Sequence, residues 1–108
     1  MERYEKLYNR IKKFNEDRDW GQFHSPVNMA KCIVIEAAEL LECFQWSNDN
    51  YDEQALKEEL ADVFNNCIML SQVLGVDLID ESNKKIDKNE KKYPVSKCKG
   101  KSTKYNKL

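Results

Sequence analysis

Apolar side chains return every three or four residues along successive stretches of this chain, the rhythm of one buried helical face. In the first stretch, about Glu2 to Glu16, Tyr4, Leu7, Tyr8, Ile11 and Phe14 share a face and charged residues take the rest. A second helix is expected from about Pro26 to Gln45 or Trp46, with Ser25 as N-cap and proline in the first turn. A third runs from about Asp52 to Leu74, with Leu56, Leu60, Val63, Cys67 and Leu74 as its stripe and Gly75 as a left-handed stop. Asp77 is placed to cap a fourth, about Leu78 to Lys92, which Tyr93-Pro94 ends. Only three Gly and two Pro occur in 108 residues, too few for a sandwich that turns every ten residues. The pattern predicts an all-α, four-helix fold. Residues 1–94 form its helical domain and 95–108 an extended basic tail.

Charge is unevenly divided. Residues 1–80 hold 8 basic and 16 acidic groups, whereas residues 81–108 hold 10 lysines and 3 acids. Such a division suits solvation, or a ligand that needs both signs, such as a metal-bound polyphosphate. No uncharged run approaches the roughly 20 residues that span a bilayer, and the first residues are charged, so a cytoplasmic protein without membrane contact is expected. The four cysteines show no C-x-x-C pair and His24 is the only histidine, which does not compose a structural zinc site. Reduced thiols in apolar helical runs are the expectation.

Two acidic motifs matter most. Glu36-Ala37-Ala38-Glu39 lies in the second helix and Glu59-Leu60-Ala61-Asp62 in the third. At roughly 100° per residue, with the first acid of each at zero, the neighbouring apolar residues fall between about 40° and 100° in both helices. The first acid therefore edges the apolar stripe, and the second lies about 60° farther out on the same side. Helices that face each other through such stripes bring these flanks together only when antiparallel. A connection of about five to seven residues favours that arrangement. Glu36 then stands level with Asp62, and Glu39 with Glu59. Four like charges at one rim repel unless a cation intervenes. An all-oxygen set calls for Mg²⁺, or Mn²⁺, rather than zinc. A ferritin-like di-iron centre would need two Glu-x-x-His motifs, which are absent. Taken alone, E-x-x-E and E-x-x-D also occur on solvated helix faces.

Aromatic residues flank these motifs. Trp46 follows Glu39 by seven residues, on the same flank and roughly 10 Å along the axis of a continuing helix. Trp20, Phe23 and His24 precede the second helix. A base stacked on such rings would gain roughly 1–3 kcal/mol without being chosen by them. Lys85 and Asn89, four apart, share one face of the fourth helix.

Glu36-x-x-Glu39 followed by Glu59-x-x-Asp62 resembles the all-α nucleoside triphosphate pyrophosphohydrolases of the MazG type, and more closely their dCTP pyrophosphatase branch. Arg18-Asp19-Trp20-x-Gln22-Phe23-His24-x-Pro26-x-Asn28 resembles the segment that leads into the first acidic helix, and Leu40-x-Glu42-x-Phe44-Gln45-Trp46 its end. Lys85-Ile86-Asp87-x-Asn89-x-x-x-Tyr93-Pro94 and Gly100-x-Ser102-x-Lys104-Tyr105 resemble the C-terminal signature. The similarity runs from about Arg18 to the end. Two departures stand out: Asn66 occupies a position where the family carries tyrosine, and the interhelical turn is shorter.

The resemblance implies a MazG-like bundle that assembles as an oligomer, a tetramer or a dimer, with sites between subunits. It implies Mg²⁺-dependent hydrolysis of dCTP, or modified dCTP, to dCMP and pyrophosphate, in control or cleaning of the nucleotide pool. Glu36, Glu39, Glu59 and Asp62 would hold the metal, with Glu39 or Glu59 as general base. Trp20, His24 and Trp46 would line the base pocket, and Lys85 and Asn89 would contact the nucleotide. The partner is then a nucleoside triphosphate rather than a nucleic acid polymer. The alternatives are another nucleotide, such as dUTP or a damaged one, or a non-catalytic helical assembly module.

Overall fold

Local capping chemistry sets most of the helix boundaries in the computed structural model, which describes residues 2–108. After α1 (Arg3–Asp17) the chain turns through Asp19, whose φ of 53° is left-handed, into a 3₁₀ turn over Trp20–Phe23. The sequence has no sustained period there and reads as a loop. The Gln22 side-chain amide tightens the turn by donating to the Asp19 carbonyl at 2.9 Å. Ser25 Oγ accepts the Asn28 amide at 3.1 Å, Pro26 fills the first turn, and α2 runs over Pro26–Glu42.

That end corrects the expectation of a helix reaching Gln45 or Trp46. From Cys43 to Gln45 the backbone switches to bonds onto the third residue back: Cys43 to Leu40, Phe44 to Leu41 and Gln45 to Glu42. Such bonds tighten the last turn toward 3₁₀ geometry, and the α-helix ends there. Tyr51 then packs edge-on against Phe44, with ring centroids 4.8 Å apart, and Ser47 Oγ accepts the amides of Asp49 and Asn50. The connection is therefore residues 43–52, longer than the five to seven expected.

Asp52 Oδ1 accepts the Ala55 amide and starts α3 (Glu53–Leu74), which Gly75 closes at φ 67°. The main packing pairs α2 with α3, and α1 lies against α3, where Gln72 donates to the Tyr8 carbonyl at 2.9 Å. Ile11, Met29 and Ile68, one from each helix, are the buried apolar residues. On α3 the buried positions are Ile68 and Ser71, while Leu60 and Leu74 of the expected stripe are exposed. The stripe marked the face but not the depth along it: burial on α3 is confined to Ile68 and Ser71, and both Leu60 and the terminal Leu74 lie outside it.

The chain divides into two compact units, one ending at Gly75 and the other Val76–Leu108. In the second, Asp77 Oδ1 accepts the Asp80 amide and opens α4 (Leu78–Lys92). Asp80 and Glu81 lie in its first turn and Lys91 and Lys92 in its last, signs that suit the helix dipole. One further turn, α5 (Val95–Cys98), and a 3₁₀ turn at Tyr105–Lys107 follow. Tyr105 stands edge-on to Tyr93 and under the Lys92 ammonium. The described residues are all-helical, without strands, and none of these helices is long and apolar enough to cross a membrane.

Candidate metal centre

Glu36 stands six residues before the end of α2 and Glu59 six residues after the start of α3. In an antiparallel pair, positions equally far from the turn meet. One carboxylate oxygen from each of Glu36, Glu59 and Asp62 lies within 4.8 Å of the other two. Glu36 and Glu59 are half-buried and Asp62 is exposed. Glu39, also half-buried, is within side-chain hydrogen-bonding reach of both Glu36 and Glu59. The structure thus brings together all four acids singled out in the sequence.

Their electrostatics are unfavourable as they stand. Burial lifts the Glu36 carboxyl above its ordinary value, helped by a hydrogen bond to Glu39 and by the charges of Glu39, Asp62 and Glu59. Glu59 is raised in the same way, by burial first, then by the contact with Glu39 and the charges of Glu39, Asp62 and Glu58. Oε2 of Glu36 and Oε2 of Glu59 are buried without any hydrogen-bond partner. Among the described residues no lysine or arginine pairs with these acids; the ion pairs are Lys13–Asp17, Lys57–Glu53 and Lys84–Glu81. Buried oxygens with no donor, amid like charge, fit a hard cation that supplies what the protein withholds.

Asp62 also borders a cleft of about 390 Å³ between α1 and α3, lined by Leu7, Arg10, Ile11, Phe14, Asn65, Asn66 and Met69. Trp20 packs edge-on against Phe14 at 5.5 Å, and the Arg18 guanidinium lies 3.7 Å over the same ring. His24 is elsewhere: it lines a cleft of about 530 Å³ on the other flank of α1, with Lys12, Asn15, Glu16 and Gln72. Trp46, beyond the end of α2, is 90% exposed, so its placement on a continuing helix flank does not hold. Lys85 and Asn89 occupy one face of α4 in the second unit. Arg10, Asn65 and Asn66 were not among the expected site residues. Two signals existed: Arg10 falls between Leu7 and Phe14 on the face that α1 presents to α3, and Asn66 departs from the family's tyrosine.

Residues 31–108 match the model of the MazG-like family. This chain belongs to that family. The MazG-like chain is 37% identical over 105 residues to dCTP pyrophosphatase 1 of Mus musculus and 36% identical to that of Homo sapiens. Each comparison covers 89% of this chain and 62% of the relative, so the chain spans less than two thirds of those proteins' length. A crystallised pyrophosphatase from Archaeoglobus fulgidus superposes with a TM-score of 0.78 at 36% identity, covering 87% of this chain and 94% of its own. MazG-like pyrophosphatases generally depend on a divalent metal, and the acidic cluster is present in this member.

Proposed function

We propose that this MazG-like protein is a Mg²⁺-dependent nucleoside triphosphate pyrophosphohydrolase that converts dCTP, or a modified dCTP, to dCMP and pyrophosphate. The observation that carries the reading is the convergence of Glu36, Glu59 and Asp62 with two buried, unpartnered carboxylate oxygens. The names of the relatives and of the structural neighbour support the choice of reaction.

Glu36, Glu59 and Asp62 would hold the ion, with Glu39 at its edge; Mn²⁺ meets the same oxygen set. A bound divalent ion supplies positive charge against the triphosphate. Glu39 or Glu59 takes the proton of the attacking water, whose oxygen bonds to phosphorus as the α–β bridging bond breaks. Pyrophosphate leaves with that electron pair. The cleft beside Asp62 seats the nucleoside: Leu7, Ile11, Phe14 and Met69 give it apolar walls, and Trp20 buttresses Phe14. The resemblance also assigns Lys85 and Asn89, on one face of α4, to the nucleotide.

We place the protein in the cytoplasm as a homo-oligomer, a tetramer or a dimer. Val27, Val34 and Leu41, seven residues apart on α2, are all exposed, as is Ile35, and a second copy would cover them. Val34→Lys is expected to yield monomers by light scattering.

The direct test is release of pyrophosphate and dCMP from dCTP with Mg²⁺, abolished by Glu59→Gln and by Asp62→Asn. No release from any of a panel of canonical and modified triphosphates would leave a non-catalytic assembly module instead. Release from dUTP or a damaged nucleotide alone would reassign the substrate.

A further inference from the structure

We infer that Arg18 is a positioning residue for nucleotide binding: it holds Phe14, an aromatic wall of the cleft beside Asp62, through both its ring and its backbone. This rests on the reading above that the cleft seats the nucleoside.

The two walls of the cleft are secured differently. On α3, Asn66 Nδ2 donates to the Asp62 carbonyl at 2.8 Å, so that wall is tied within its own helix. On α1, Phe14 is 42% exposed and lies three residues from the helix end at Asp17. Burial does not fix such a ring, so its rotamer depends on the contacts it is given. Those contacts come from the segment that follows. The Arg18 guanidinium lies 3.7 Å over the Phe14 ring, and its Nη1 donates to the Phe14 carbonyl at 3.1 Å. Trp20 meets the same ring edge-on at 5.5 Å.

The segment is built to deliver both side chains to one ring. Asp19, at φ 53°, turns the chain between Arg18 and Trp20. Gln22 Nε2 braces that turn by donating to the Asp19 carbonyl at 2.9 Å and to its carboxylate at 3.2 Å. Asn28 Nδ2 donates to the Phe23 carbonyl at 2.9 Å, which fixes the far end onto α2. The guanidinium is not drawn elsewhere. Asp17 bonds Lys13 at 2.9 Å, Asp19 accepts from Gln22, and among the described residues no acid pairs with Arg18. Its charge is left to the ring face.

A wall already in place need not be ordered when the ligand arrives. Where only the held rotamer accepts the ligand, the apparent Kd varies inversely with the population of that rotamer. A cation over an exposed ring favours the held state about two- to fivefold, and the backbone bond adds to it.

The test uses the full chain and measures Kd for deoxycytidine and dCMP, with KM and kcat for dCTP at saturating Mg²⁺. Arg18→Met is expected to raise both Kd values and KM by about three- to tenfold, with kcat within about twofold of the wild type. Arg18→Lys keeps a cation for the ring and is expected to stay within about twofold of the wild type in Kd. In a Phe14→Leu background the same Arg18→Met change is expected to shift Kd by less than about 1.5-fold, because the ring it acts through is gone. A wild-type Kd in Arg18→Met, or an undiminished effect in Phe14→Leu, overturns the inference and leaves the hydrolase standing. An effect that grows from deoxycytidine to dCTP also overturns it, since it marks a direct grip on phosphate. Coupled, Phe14-dependent loss of dCMP binding in a protein that hydrolyses no triphosphate supports the inference and overturns the hydrolase. No binding of deoxycytidine or dCMP by the wild type overturns the inference together with the nucleoside seat.

Discussion

The two units of this chain use charge in opposite ways. Up to Gly75 there are 8 basic and 14 acidic groups; from Val76 onward 10 lysines stand against 5 acids. In the first unit four acids crowd one half-buried point, whereas in the second every lysine is exposed and no residue is buried. Spread charge costs little and is the common state of a helix surface. Crowded charge of one sign costs folding energy, and it persists where something offsets it. The contrast marks the first unit as the place where the chain accepts an electrostatic cost.

The largest expected effect breaks that contrast at its centre. Glu59→Gln should lower kcat for triphosphate hydrolysis by about 10²–10⁴, measured as pyrophosphate release, and its metal-free melting temperature should equal or exceed the wild type's. A fall in that temperature would contradict the crowding.

Next in size is the response to pH in the presence of a chelator. Glu36 and Glu59 titrate above their ordinary 4.5 in the folded state, so the folded protein holds more protons than the unfolded one just above that pH. The stability they contribute is fully present below about 4.5 and is lost as pH rises through their raised values. Urea melts from pH 4.5 to 7 should show this fall in the wild type. The fall should be smaller in Glu59→Gln and reversed by added Mg²⁺.

Gly75→Ala is expected to destabilise the protein by about 1 kcal/mol. Glycine's φ is 67° with open space where a Cβ would sit, so the cost is backbone strain alone, readable in the urea midpoint. The smallest effect belongs to the second unit. Asp77→Ala removes the N-cap of α4 and should cost about 1 kcal/mol locally, seen as faster amide exchange in α4 with α3 unchanged.

The features legible in the sequence were those set by a few neighbouring residues. Ser25-Pro26, Asp52, Gly75 and Asp77 mark helix ends because a cap is made within four residues. The four acids were legible because two helices of known pitch, joined by a turn, fix which residues come level. The end of α2 was not, since Phe44-Gln45-Trp46 continues the apolar period and only the contact of Phe44 with Tyr51 shows where the chain turns away. That His24 and Phe14, the ring on which Trp20 packs, line different clefts follows from how α1 seats against α3, two helices about 50 residues apart in sequence. Arg10 and Asn66 line one cleft for the same long-range reason, which the departure at Asn66 marked without placing.

One side-chain bond ties the cleft and the acidic cluster to a single rung of helix. Because the Asn66 amide is anchored on the peptide oxygen of Asp62, the wall of the cleft and the edge of the acidic cluster move as one rigid piece. A shift of that turn would displace the apolar wall and the carboxylates together, never one without the other.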